Sequence, residues 1–523
     1  MARPARFSSL SALSVTAFLL STLGFPLPPA VSAMEAVDFR EAVARALSNS
    51  PFLQGAEEEA IAARYDADAA RGFLLPSVRF DEKFVRTTVP AEAFGLKMNQ
   101  EKLLASDFDD VRNFNNPPPR NDFIATLSLE QPLFAPKAYI GYGMAKVEAD
   151  AKNQDLYRRK EDAVYRVLAA VLDVVTARQF VEVAGQGHSD AREHLRIAES
   201  LEAAGMGLTS DSLRAKVAVA SAESAKVTAE NRLEIARRRL ALAMGGPGAS
   251  PVDVTGPPPE FPDPGTPGDR ETGTIDRADL RASSLRLTNA GSVVRLRRSG
   301  YLPDVGLSAA YQVDGEDDPF TSDNRSWKVG VGLTWNIFDG MRREAELGKA
   351  VAERRRAQAF DRGMRDQAAF EAAQADLAVR EATLRWEIAR AALASAEEGV
   401  RLLKSRYENH IGRMVDLLDA QTALDVARAD RIRAENDVRL SRAQRLYASG
   451  GLLSAVFQFI NTVSTERVDA PHPARHATEA YCASTVRERN EAGADAAALE
   501  CNRIYELKHL AATAEENEKE KIR

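Results

Sequence analysis

The stretch Ser326–Phe338, SWKVGVGLTWNIF, puts Trp327, Val329, Val331, Leu333, Trp335 and Ile337 on one side of a two-residue period. Lys328, Gly330, Gly332, Thr334, Asn336 and Phe338 take the other side. Alternation over this length reads as a strand with one apolar face and one mostly polar face. Both glycines fall on the polar face, where crowding or a narrow lumen favours a residue without a side chain. Trp327 and Trp335 bracket the apolar face, about 26 Å apart at roughly 3.3 Å per residue. The spanning strands of a membrane β-barrel have this form, alternating lipid-out and lumen-in between aromatic girdles. A strand of a soluble sandwich alternates in the same way. This stretch alone leaves both open.

Working outward, three more segments alternate. Val305, Leu307, Ala309, Tyr311 and Val313 precede the polar loop Asp314–Arg325. Val78, Phe80 and Phe84 alternate with Arg79, Asp81 and Lys83. Phe123, Ala125, Leu127 and Leu129 alternate with Ile124, Thr126, Ser128 and Glu130. Thr87–Asn121, polar and ending in Asn115-Asn116-Pro117-Pro118-Pro119, reads as a long loop.

The rest is helical. Val37–Arg71 reads as one helix with Ala56, Ala60, Ala63, Ala67 and Ala70 on a coiled-coil seam. After Pro136 no proline occurs before Ala204, which permits a helix of roughly 100 Å. Gly205 and Gly207 break it. Thr209 and Ser210 can cap the next helix, whose seam is Leu213, Val217, Ala220, Ser224 and Val227. A further helix carries Leu280, Leu287 and Val294. Gly340–Glu408 is again free of proline, His410–Gly412 breaks it, and Val415–Ala448 is the last long helix.

The order repeats. Phe134 to Asp211 spans 77 residues and Phe338 to Asp416 spans 78; Asp211 to Gly245 and Asp416 to Gly450 both span 34. The chain is therefore two copies of helix, strand, loop, strand, long helix, turn, helix. We divide it into a signal peptide at 1–33, a first repeat at 34–246, a Pro/Gly-rich linker at 247–274, a second repeat at 275–452 and a tail at 453–523. The signal peptide has Arg3 and Arg6, an apolar run from Leu10 to Phe25, and Val31-Ser32-Ala33 as its cleavage site. Its removal takes the formal net charge from −7 to −9, two positive charges fewer. A chain of that sign has no electrostatic case for binding nucleic acid. Cys482 and Cys501 both lie in the tail, where export to an oxidising compartment favours a disulfide between them.

Four strands cannot close a barrel, and lipid tolerates no open sheet edge. If the strands span a membrane, the chain must oligomerise through them, with two or three copies both open on this argument.

These residues resemble the TolC-like outer-membrane efflux channel family over Val37–Leu452. The matching motifs are Leu75-Pro76-Ser77-Val78, Gln131-Pro132-Leu133-Phe134, Leu302-Pro303-Asp304-Val305, Ile337-Phe338-Asp339-Gly340 and Val415-Asp416-Leu417-Leu418-Asp419-Ala420-Gln421. The resemblance implies a mainly α fold with a membrane β-barrel. Four strands per chain would close a twelve-stranded barrel as a homotrimer in the outer membrane, continued by a coiled-coil α-helical barrel through the periplasm. It implies a periplasmic adaptor (a membrane fusion protein) and an inner-membrane transporter as partners, with outer-membrane lipid around the strands. The function it implies is passive export of small molecules such as drugs or toxic compounds. The same conduit could serve a type I protein-secretion system. A coiled-coil scaffold that never enters the membrane is the reading from a different class.

No G-x-S-x-G, H-E-x-x-H or P-loop occurs, and the six histidines lack metal-ligand spacing. No enzyme, cofactor or metal is expected. Asp416 and Asp419, three apart, share one face of the last long helix. They could simply complement its dipole; the resemblance makes them the pore constriction. It also makes Tyr407, Asp211 and Arg413 a gate network, although Tyr407 could equally be a packed helix-end aromatic. His410 and Gly412 depart from the family pattern beside them.

Overall fold

The computed structural model describes residues 35–110, 112–248, 250–261, 275–319 and 324–465. The expected signal peptide, half of the linker, and Cys482 and Cys501 lie outside them. In the first repeat β1 (Glu35–Val37), α1 (Phe39–Asn49) and α2 (Pro51–Gly72) lead to β2 (Ser77–Thr87). Then come α3 (Pro90–Asn99), a short turn at Ala105–Phe108, α4 (Arg112–Asn115), β3 (Arg120–Phe134), α5 (Pro136–Ala203) and α6 (Thr209–Ala243). After β4 (Val252–Val254), the second repeat runs α7 (Ala278–Ser299), β5 (Asp304–Gly315), β6 (Arg325–Thr334), α8 (Arg342–Glu408) and α9 (Met414–Ser449), followed by α10 (Leu452–Thr465).

The long helices are α5 and α8, of 68 and 67 residues, each about 100 Å at 1.5 Å per residue. α6 folds back on α5, and α9 on α8. The core sits halfway along α5. There Val164, Val167, Leu168, Val171 and Leu172 pack with α1, with Leu240 and Ala241 of α6, with Val252 and Val254 of β4, and with Leu452, Leu453, Val456 and Ile460 of α10. Mainly alanine lines the rest of the interhelical contacts, Ala56, Ala60, Ala63 and Ala67 of α2 among them. Such small residues let helices approach closely.

Several expectations change. The single helix Val37–Arg71 breaks at Ser50, which is extended (ψ 116°) because the residue before a proline avoids the helical region. Pro51 then opens α2, where its missing N–H costs nothing. Asp38 caps α1 by accepting the Glu41 N–H at 2.7 Å. Thr209 is the first helical residue of α6 rather than its cap; Leu208 precedes the helix and offers no side-chain bond. Leu213, Val217 and Val227 stay exposed, while Ser212, Ala215, Leu233 and Ala236 face inward. The loop Thr87–Asn121 carries two helices, and Val252–Val254 of the linker forms a strand parallel to β1. The tail begins as a buried helix. The opening strand ends at Thr334, before Trp335.

Candidate pore wall and gate

The four longer strands form one antiparallel sheet in the order β2-β3-β5-β6. Its register aligns the alternation of each strand with that of its neighbours. Phe80 pairs with Leu127, Leu127 with Tyr311, and Tyr311 with Trp327. In the next row of that face, Val78, Leu129, Ala309 and Val329 align. On the opposite face Arg79, Ser128, Ala310 and Lys328 form one row, and Asp81, Thr126, Gln312 and Ser326 another. One face is thus apolar across all four strands and the other polar. The apolar face is open: Trp327 is 76% exposed and Val331 67%. A soluble sandwich would bury it against a second sheet; a lipid-facing wall requires it bare.

Of the expected girdle, Trp327 lies within β6. Trp335 lies one residue past its end, with its indole N–H donating to the Tyr301 carbonyl at 3.1 Å. α2 and α7 enter the sheet at the same end from which α5 and α8 leave it. The β2–β3 and β5–β6 connections therefore lie at the far end.

At the other extremity of the molecule are two matching turns. Gly205 and His410 take positive φ, +72° and +64°. Two residues later Gly207 and Gly412 back onto the preceding helix. A Cβ on Gly207 would lie 2.8 Å from the Glu202 nitrogen, and one on Gly412 3.0 Å from the Tyr407 nitrogen. His410 thus takes the left-handed position that glycine fills in the first repeat. Asp211 and Asp416 occupy equivalent places in the first turns of α6 and α9. Asp416 and Asp419 are exposed and make no ion pair or hydrogen bond among the described residues. Arg413, also exposed, is the residue from which α9 starts. Tyr407 is buried among Ala198, Ala215, Met414 and Leu417. Burial, then the nearby Asp211 carboxylate, push its phenol pKa up. No hydrogen bond joins the two within the single chain.

Two turns farther along α9 is a buried polar cluster that sequence reasoning missed. Gln421 donates to Asp190 at 3.2 Å and to Asp425 at 3.1 Å, and its Oε1 lies 3.3 Å from His194 Nε2. Arg428 donates to Asp190 at 3.2 Å. The cluster ties α5 to α9. Its only sequence signal was Gln421 at the end of the VDLLDAQ motif, since His194 carries no partner at metal-ligand spacing.

The family model described as outer membrane efflux protein matches residues 42–246 and 275–452. Protein CyaE of Bordetella pertussis is 27% identical over 446 residues, 82% of this chain and 87% of that protein. Outer membrane efflux protein BepC of Brucella suis is 24% identical over 319 residues, 58% of this chain and 67% of that one. The solved Campylobacter jejuni CmeC outer membrane channel superposes with a TM-score of 0.69 over 82% of this chain and 89% of its own, at 17% identity. With both repeats matched and the same fold of long paired helices beneath a four-stranded sheet, the chain belongs to the outer membrane efflux protein family.

Proposed function

We propose that three copies of this outer-membrane channel close their sheets into one twelve-stranded barrel, continued by a twelve-helix tunnel reaching into the periplasm. The observation that carries this is the sheet itself, with two unpaired edge strands, β2 and β6, and one bare apolar face. Lipid permits such a face only in a closed barrel. Joining β6 of one copy to β2 of the next removes every edge.

The polar face then lines the lumen, and α5 and α8 carry the duct onward by about 100 Å. Nothing along this wall performs chemistry; the channel is a passive conduit for small molecules that an inner-membrane transporter delivers through a periplasmic adaptor. At the turn end, Asp416 and Asp419 would form a ring of six carboxylates at the constriction, with Tyr407, Asp211 and Arg413 as the gate contacts around it. Trp327 and Trp335 would mark the two membrane interfaces. The test is outer-membrane fractionation with heat-modifiable gel migration and planar-bilayer conductance. A heat-sensitive trimer that conducts is expected. A non-conducting monomer would overturn the assembly.

A further inference from the structure

The β2–β3 connection, residues 88–119, is far longer than the β5–β6 connection at 316–324, and it is folded. The rings of Phe94, Phe108 and Phe114 pack at 5.1–6.1 Å, and Lys97 pairs with Asp107. Its direction is fixed by what it covers. Asp122 shares the polar face with Thr126 and Ser128, and Asp314 with Gln312. Along most of that face the side chains are open, as at Arg79 and Asp81. At the far end, however, Asp122 is 0% and Asp314 1% exposed.

The cover is the connection. Gln100, itself buried, donates to the Asn121 carbonyl at 2.7 Å and to Asp122 Oδ1 at 3.0 Å. Lys102 pairs with Glu316 at 2.5 Å and Arg120 with the same carboxylate at 3.6 Å. A connection standing upright, or leaning toward lipid, would leave Asp122 and Asp314 facing water. A polar face that is open below and sealed at its distal end has the connection folded inward over it.

We propose that residues 88–119 form a cap that narrows the exit of the duct, pinned to the inner wall by Gln100 on Asp122. This rests on the reading of the polar face as the lumen. With three copies, three caps converge over one opening. The cap sets a size limit at the outer end, separate from the constriction about 100 Å of helix away.

Graded thiol reagents added outside intact cells test it. Ser128→Cys, in a background with Cys482→Ser and Cys501→Ser, places one thiol on the polar face below the cap. A small charged methanethiosulfonate should label it, and a maleimide on a polyethylene glycol chain of several kilodaltons should not. Replacing 88–119 by an Asn-Gly turn should admit the large reagent. Gln100→Ala, which keeps the whole chain, should raise its labelling rate at least several-fold. Heat-modifiable trimers confirm assembly of each variant. Rapid labelling of the capped protein by the large reagent would overturn the cap while leaving the duct intact. If the thiol resists even the small reagent without the cap, the polar face is not the lumen, and both readings fall.

Discussion

His194 Nε2 and Gln421 Oε1 lie 3.3 Å apart, both side chains buried where α5 meets α9. The orientation is not arbitrary. Asp190 and Asp425 both accept from Gln421 Nε2, which turns Oε1 toward the imidazole and requires the proton on His194 Nε2. One amide thus satisfies three groups on two helices. Gln421→Ala would leave His194 Nε2 without its acceptor and take one donor each from Asp190 and Asp425, which keep Arg428; an unsatisfied buried polar group costs about 1–3 kcal/mol. We expect a lower melting temperature and a leakier channel, seen as increased entry of a large antibiotic into cells producing the variant. Wild-type melting and wild-type exclusion would show that this contact does not hold the helices together.

Acidity should act on the same cluster. Burial raises the Asp425 pKa, opposed by the Gln421 hydrogen bond and by Arg428, and assisted by Asp190. His194 on α5 is the remaining titratable group that acts on it, and its charge lowers the value. A carboxyl whose folded pKa exceeds its unfolded value of about 3.9 destabilises the fold once ionised. Stability from this group is therefore complete at low pH and falls as pH rises through the raised value. Asp425→Asn cannot ionise. Its stability relative to wild type should improve from pH 4 to pH 7, read by thermal unfolding at each pH. A difference independent of pH would remove Asp425 from the account.

The legible parts of the fold were those with a repeating local signal. The alternation of β6 gave its two faces, and the absence of proline after Pro136 gave α5 to within a residue. Asp416 and Asp419 stood out because a short motif surrounds them. What was missed depends on partners distant in sequence. Val252–Val254 is a strand because it meets β1, more than 200 positions earlier. Leu452, Leu453, Val456 and Ile460 have helical spacing but follow Gly450-Gly451, which read as the end of the domain; their burial against α1 and α5 makes them core. Gln100 looked like any loop polar residue until Asp122 came beneath it. Ser50-Pro51 carried a local signal that the longer alanine pattern overrode.

The face assignment has a direct test at adjacent positions. Val331 pairs with Leu307 on the apolar face, and Gly332 with Gly306 on the polar one. A charge near the bilayer midplane on the lipid face costs about 2–4 kcal/mol. Val331→Arg should abolish trimers in the outer membrane, whereas Gly332→Ser should assemble nearly normally, since nothing lies within 4 Å of its added Cβ. Equal tolerance of the two would show that the faces are reversed or that both meet water.

Gly245 and Gly450 end the return helices of the two repeats, at φ +81° and +84°. Each is pressed onto backbone. A Cβ on Gly245 would lie 2.7 Å from the Asn49 carbonyl and the Ser50 nitrogen, and one on Gly450 would collide with the Asp276 carbonyl. The left-handed conformation alone costs a non-glycine residue about 1–3 kcal/mol, and the collisions add to it. Gly245→Ala and Gly450→Ala should each lower trimer yield and melting temperature. Gly256→Ala, at φ +80° but with nothing within 4 Å, isolates the conformational share. If Gly245→Ala is no worse than Gly256→Ala, the contact with the α1–α2 break is not tight in the assembled channel.

Charge at the proposed constriction can be tested separately. Asp416 and Asp419 are exposed, lack partners among the described residues, and begin the return helix beside a turn held by Gly412 and the left-handed His410. Near a helix N-terminus each carboxylate gains about 0.3–1 kcal/mol from the dipole, which would explain one of them in a monomer. In the proposed trimer, three copies around an axis change the balance. Two like charges about 8 Å apart repel by roughly 2 kcal/mol at an effective dielectric near 20, more than the dipole returns. Such a ring is tolerated where cations can enter it. Asp416→Ala combined with Asp419→Ala removes six charges from the trimer and leaves the packed face of Leu417 and Tyr407 untouched. Cation selectivity should fall, block by trivalent cations should weaken by about an order of magnitude or more, and trimers should still form. Planar-bilayer recordings at neutral pH read the first two. If block and selectivity match wild type in a double variant that assembles, the carboxylates serve only the end of α9, and the constriction lies elsewhere along the tunnel.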